Sequence, residues 1–212
     1  MEPASRRHHI RGKLRQHGRA EIADHHNSVS PGLAALVARA ERAGKGAPPV
    51  EAWHPAHCGD SEMAIRSDGS WTHQGSPIGR PALVRLFSSV LRKDADGTTH
   101  LVTPVEKLSI TVEDAPFIAV EMSRDAEGEE PVISFRTNVG DIVAAGAANP
   151  LRFAVDGGGG FTPYILVRGR LEAKLTRALA FDLADCVETG EDGVGFIRSG
   201  GTRFVLQAGI LE

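Results

Sequence analysis

From residue 50 onward, apolar and polar positions alternate in short runs, and Asp-Gly or Gly-Gly pairs break the runs. Alternation with period two marks half-buried strands, and those pairs mark the turns between them. Residues 63–73 place Met63, Ile65 and Trp71 around Ser67-Asp68-Gly69-Ser70, which predicts a hairpin. Pro81 then opens a helix running to about Lys93, with Leu83, Leu86, Phe87, Val90 and Leu91 as its apolar stripe. Asp94-Ala-Asp-Gly97 stops it, and 100–110 reads as a second hairpin turning near Pro104.

The C-terminal part repeats that order. A hairpin over 164–175 turns at Arg168-Gly169. Thr176 caps a helix carrying Leu179, Leu183, Cys186 and Val187. A last hairpin over 195–207 turns at Gly200-Gly201. At a constant displacement Leu83 meets Leu179, Phe87 meets Leu183, Asp96-Gly97 meets Asp192-Gly193, and Lys107 meets Arg203. The expectation is an α+β fold of duplicated hairpin–helix–hairpin units with antiparallel sheets, each unit needing the other to cover its apolar face. Further strands fall at 117–122, 132–135 and 152–155; a four-glycine run at 157–160 has the bare amides of a phosphate cradle but lacks the Walker lysine–hydroxyl ending and a following helix, so it reads as a flexible loop.

Ahead of this body the pattern changes. Residues 1–30 mix Arg6, Arg7, Arg11, Lys13, Arg15 and Arg19 with His8, His9, His17, His25 and His26, and hold few large apolar residues. Such a segment cannot repay the entropy of folding and reads as a disordered tail. A metal-binding or anion-seeking arm is the alternative. Residues 31–49 give a helix with Leu33, Leu36 and Val37 on one face, then a Gly/Pro linker. The division is therefore tail 1–30, helix and linker 31–49, an N-terminal subdomain 50–115 and a C-terminal subdomain 116–212.

Composition narrows the function classes. The 212 residues carry a net charge of −3, a poor match for nucleic acid or an anionic membrane surface. No apolar run approaches the roughly 20 residues of a membrane helix. Two cysteines, Cys58 and Cys186, make neither a disulfide framework nor a CxxC site, so a cytoplasmic setting is expected. No cofactor motif is present.

Several stretches in order carry a resemblance. They are Trp53-His-Pro-Ala-His-Cys-Gly-Asp60, Gly75-Ser-Pro-Ile-Gly-Arg-Pro81, Leu101-Val-Thr-Pro-Val-Glu-Lys107, Val112-Glu-Asp-Ala-Pro-Phe117, Phe135-Arg-Thr-Asn-Val-Gly-Asp141 and residues 164–172. From about Trp53 to Leu206 the chain resembles the bacterial domain-of-unknown-function family 1285. The resemblance implies a duplicated α+β core whose C-terminal half looks like a pleckstrin-homology fold. It also implies a site between the halves for a nucleotide-like molecule in signalling, and no activity.

The polar residues of those stretches are the candidate ligand contacts: Asp60, Arg80, Glu106, Lys107, Asp114, Arg136, Asn138, Asp141 and Arg168, with Trp71 and Tyr164 as stacking surfaces. Arginine forks suit phosphate or carboxylate, and asparagine can read an amide or base edge. Structural ion pairs across the interface between halves would account for the same charges. His54, His57, Cys58 and Asp60 lack a standard zinc spacing, and Cys58 beside His57 lacks an orienting acid. The leading expectation is a binding module holding a small anionic, nucleotide-like ligand between two subdomains. The alternatives are a small hydrolase using Asp60, Asp114 or Asp141 as base, and a protein-interaction module.

Overall fold

The computed structural model describes residues 48–125, 130–155 and 161–206. The basic, histidine-rich tail, the helix expected over 31–43 and the glycine run at 157–160 lie outside the described residues. The chain opens with a 3-10 turn at Val50–Ala52. Strands β1 (His57–Ile65), β2 (Trp71–His73) and β3 (Ser76–Pro77) follow, then helix α1 (Pro81–Ser89). Strands β4 (Leu91–Lys93), β5 (Thr99–Val102) and β6 (Lys107–Val112) complete the first half. These strands form one six-stranded sheet in the order β3-β2-β1-β6-β5-β4.

The second half contains β7 (Phe117–Asp125), β8 (Val132–Thr137), β9 (Ile142–Ala144), β10 (Leu151–Val155), β11 (Phe161–Arg168) and β12 (Leu171–Leu175). They make a second six-stranded sheet, β10-β11-β12-β7-β8-β9. Helix α2 (Arg177–Ala184) packs on it. Strands β13 (Val187–Thr189), β14 (Gly195–Ser199) and β15 (Thr202–Val205) then form a separate three-stranded sheet.

Most local elements match the sequence pattern. The turn at Asp68-Gly69 joins β1 to β2, Gly169 joins β11 to β12, and Gly200-Gly201 joins β14 to β15. The Thr176 hydroxyl accepts a hydrogen bond from the Leu179 amide, as an N-cap does. The first helix is shorter than its stripe implies. Ser88 and Ser89 turn their hydroxyls back onto the Arg85 and Leu86 carbonyls at 2.8 and 2.7 Å, occupying acceptors that the next turn would need. Leu91, part of the apparent stripe, lies in β4 opposite Leu101.

The duplicated hairpin–helix–hairpin architecture is overturned. The closing hairpin of the first half, β5–β6, lies inside the same sheet as β1. Its supposed counterpart, β14–β15, leaves the second sheet altogether. The sheets are not purely antiparallel either, because β1 runs parallel to β6 and β12 parallel to β7. The protein is mostly β, with two short helices among the described residues, and the α+β expectation survives only loosely. The pleckstrin-homology likeness gives way to a mixed six-stranded sheet in which the helix is followed by three more strands.

The small third sheet is tied to the second by the Gly200 amide, which donates to the Pro131 carbonyl at 2.9 Å, and by one buried polar side chain. Ser199, fully inaccessible, accepts from the Ile133 amide and donates to the Ala145 carbonyl, both at 2.8 Å. Ile133 lies in β8 and Ala145 directly follows β9, so the hydroxyl satisfies backbone groups of the neighbouring sheet. The Leu183 side chain of α2 and Ile197 of β14 are also fully buried.

Buried apolar side chains form one continuous cluster from Val50 to Phe204, crossing both halves. Trp71 and Phe87 stack at 6.3 Å beneath α1. Burying rings of that size contributes on the order of 2–3 kcal/mol each. The seam between the halves is close-packed at Gly69. A Cβ there would lie 2.6 Å from Ile118 Cγ1 and 2.9 Å from Asn138 Nδ2. With φ at +82°, the turn requires glycine twice over, once for its backbone and once for the approach of β7.

Candidate functional site

The charges expected to gather at the seam are distributed among separate partnerships. Arg168 is the true bridge. Its Nη1 donates to Asp141 Oδ2 at 2.6 Å, its Nη2 donates to the Ser88 carbonyl at the end of α1 at 2.6 Å, and its guanidinium lies 4.9 Å from the Phe117 ring centroid. One side chain thus ties the β11–β12 turn, the loop after β8 and the first-half helix together. A cation at the C-terminal end of a helix is also favoured by the helix dipole.

Asp114, just before β7, accepts from the Tyr164 hydroxyl at 2.9 Å and from Lys174 at 2.6 Å. Burial and the adjacent Asp114 carboxylate push the Tyr164 hydroxyl up to about 12. Arg152 lies 4.1 Å from the centroid of the Tyr164 ring and is paired with Glu172. Lys107, by contrast, belongs to the first sheet alone. It donates to Asp94 Oδ2 at 2.5 Å beside Arg92, whose Nε reaches Asp94 Oδ1 at 2.8 Å. Burial by itself would raise the Asp94 carboxyl, but hydrogen bonds from Lys107 and Arg92 outweigh it and hold the group below the usual carboxylate range. Arg92, buried, also donates to the Val50 and Trp53 carbonyls at 3.0 and 2.6 Å, fastening the start of the described chain to β4.

Arg136 pairs with Glu121 across β7 and β8 on an exposed face. Asp60 accepts from the Glu62 amide and the Ser109 hydroxyl at the irregular start of β1. Trp71 is core, and Glu106 sits in the β5–β6 turn with its amide donating to the Thr103 hydroxyl. Arg80, Lys107, Arg136 and Asp141 therefore do not line one shared cleft. Cys58 is exposed with its thiol near the Ala56 carbonyl, and no cluster of three metal-ligating side chains occurs among the described residues.

A smaller cleft does lie at the seam. Its walls are Ile78, Gly79, Pro81, Val84 and Arg85 from the first half and Asn138 from the second, and it encloses about 210 Å³. It opens at the N-terminus of α1. Pro81 forces Arg80 into extended backbone, and no side chain caps the first turn. Leu83 and Val84 amides share the Arg80 carbonyl at 3.0 and 3.2 Å. Arg80 and Arg85 make no ion pair among the described residues, whereas Arg66, Arg92, Arg136, Arg152, Arg168 and Arg198 all do. Asn138 spends its carbonyl oxygen on the Ile118 amide at 3.1 Å, so its Nδ2 is left to donate. Sequence reasoning singled out Arg80 and Asn138 but passed over Arg85, which reads as an ordinary solvated charge on the polar face of a helix.

Comparison with known proteins agrees with this two-part construction. A model for the N-terminal domain of the domain of unknown function DUF1285 matches residues 48–115, and one for the C-terminal domain of the DUF1285 protein of unknown function matches 116–206. The chain belongs to the DUF1285 family. The two DUF1285 models meet at Ala115, which is buried, directly after the Asp114 carboxylate that holds Tyr164 and Lys174. The crystal structure of a DUF1285 family protein from Silicibacter pomeroyi DSS-3 is 44% identical, with a TM-score of 0.74 over 82% of this chain and 94% of that one. A DUF1285 family protein from Shewanella baltica OS155 is 25% identical over 58% of this chain and 90% of that one, with a TM-score of 0.46. No curated protein matches the chain. No helix among the described residues is long and apolar enough to cross a membrane.

Proposed function

We propose that the chain is a binding module that holds the anionic group of a small ligand in the seam cleft between its halves. The observation that carries this reading is Arg85, a guanidinium with no ion-pair partner among the described residues, which lines the cleft together with the Asn138 amide of the other half, beside the uncapped N-terminus of α1 that Arg80 precedes. Backbone N–H groups and the positive end of a helix favour negative charge, and arginine adds forked donors matched to phosphate or carboxylate. Contacts from both halves would couple occupancy to the way they pack, which suits a sensor.

The cleft volume sets the scale of the ligand. About 210 Å³ falls below the roughly 300 Å³ at which pockets enclose a whole drug-sized molecule. A nucleotide-like ligand would therefore seat its phosphate here and leave its base outside. The hydrolase reading has less support. Asp114 and Asp141 already accept hydrogen bonds from cationic side chains, and Asp60 from an amide and a hydroxyl.

Melting temperature against a panel of inorganic phosphate, nucleoside monophosphates and the unphosphorylated nucleosides tests the proposal. A ligand present at about 100 times its Kd stabilises the fold by about 2.7 kcal/mol. Phosphate-bearing compounds should raise the melting temperature, and Arg85→Gln should erase the rise while leaving the unliganded melt unchanged. A panel that shifts nothing at millimolar concentration counts against the proposal.

A further inference from the structure

We infer that a second, separate site lies beside α2 and takes an amphipathic anion: an apolar acyl chain ending in a carboxylate. A groove of about 620 Å³ runs there, three times the volume of the seam cleft and within the range of small-molecule pockets. Its walls are mainly apolar, formed by Phe161, Pro163, Leu175, Ala180 and Phe181, with polar groups from Thr162, Lys174 and Arg177. Phe181 sits in the middle of α2 and is 62% exposed, although Leu179 and Leu183 on the same helix are buried. No apolar side chain among the described residues shields this ring from water, its near neighbour being the Arg177 guanidinium, and the ring forms one side of a slot. The other side is stiffened, because Phe161 stacks on Phe153 at 5.1 Å. Ala180 leaves room between the two.

Charge selects the ligand. Arg177 lines the groove at the first residue of α2, 5.7 Å from the centroid of the Phe181 ring, and has no carboxylate partner among the described residues. Lys174 also lines the groove, with its ammonium held by Asp114. No acidic side chain is in the lining. A neutral hydrocarbon would leave the guanidinium unused, and a bare phosphate would leave the apolar walls wet. A carboxylate on Arg177 with its chain laid between Phe161 and Phe181 satisfies both.

Titration calorimetry on the full chain, with decanoate and the equally long decylamine as probes, tests this site. Decanoate should bind saturably and decylamine should not. Arg177→Gln should weaken decanoate about tenfold, the loss of one charge-assisted contact. Phe181→Ser, at an exposed position, should weaken it as well without changing the melting temperature. Arg85→Gln should leave it unaltered, which separates this site from the seam. Equal binding of decylamine, or full-strength binding to the Arg177→Gln variant, would overturn the head-group assignment. Absence of decanoate binding at ~1 mM, corresponding to less than about 4 kcal/mol of affinity, would overturn the site.

Discussion

Replacing Arg168 with Met keeps most of the aliphatic stem and removes the charged fork that crosses the seam. Three contacts disappear. The hydrogen bond to the Ser88 carbonyl, from a side chain about three-quarters buried, is of the charged type worth about 1.5–3 kcal/mol. The pair with Asp141, whose carboxylate is 39% exposed, is worth less than about 1 kcal/mol after screening. The approach to the Phe117 ring adds about 0.5–1 kcal/mol. The terms overlap, since one guanidinium makes all three, so a loss of about 3 kcal/mol is expected. Equilibrium urea unfolding followed by tryptophan fluorescence reads it directly. Arg168→Lys should recover only the Asp141 share, because one ammonium cannot reach both acceptors in the same fork geometry. Asp141→Asn should cost far less than Arg168→Met. A Met variant within about 0.5 kcal/mol of wild type, or a lysine variant equal to wild type, would refute the bridging role.

Three further expectations follow from the same geometry. Gly69→Ala should cost about 2–4 kcal/mol through positive-φ strain plus the collision with Ile118, whereas Gly97→Ala, at φ +87° in open space, should cost about 1 kcal/mol; equal thermal losses would remove the packing argument. Burial first, and then repulsion by Lys107, holds the His100 imidazole below its ordinary 6.5. The unfolded chain therefore takes up that proton first, and stability should fall as pH drops through 6.5 toward the lowered folded value, by at most about 1.4 kcal/mol per pH unit; urea midpoints of wild type and His100→Gln should converge over that window, and parallel curves would contradict it. Tyr164 is the single tyrosine, so phenolate absorbance reports it alone. It should titrate near 12 in the folded protein and lower in Asp114→Asn, and an unshifted value in that variant would show that the carboxylate is not its partner.

Much of the local structure was legible because its causes are local. Asp68-Gly69 and Gly200-Gly201 announce their turns, and Thr176 announces its helix. What failed was the step from elements to architecture. The parallel pairs β1–β6 and β7–β12 join strands far apart in sequence and leave no signature in a short window. The apparent repeat arose because two helices of similar length, each followed by a hairpin, carry similar apolar spacing whatever sheet the hairpin joins. Ser199 shows the gap well. Nothing in its neighbourhood distinguishes it from a turn residue, yet it latches the third sheet onto β8 and β9.

The candidate site was legible in part for the same reason. Residue type singled out Arg80, Asn138, Asp141 and Arg168 among the candidates; of these, Asn138 lines the seam cleft and Arg168 joins Asp141 to the Ser88 carbonyl. Pairing then decided their roles, and pairing depends on which strands lie side by side. Lys107 and Arg136 met Asp94 and Glu121 on their own sheets and were neutralised there. Arg85 escaped notice because a charge on a helix's polar face is normally just solvated, and only the approach of Asn138 gives it a cleft.

Amide chemical-shift mapping during titration with adenosine monophosphate tests the seam most directly. The backbone amides of Gly79 and Ala82 and the side-chain amide of Asn138, drawn from both halves, should move together and saturate with one dissociation constant. Shifts confined to one half, or none at up to about 10 mM ligand, would contradict an anion site built where the two halves meet.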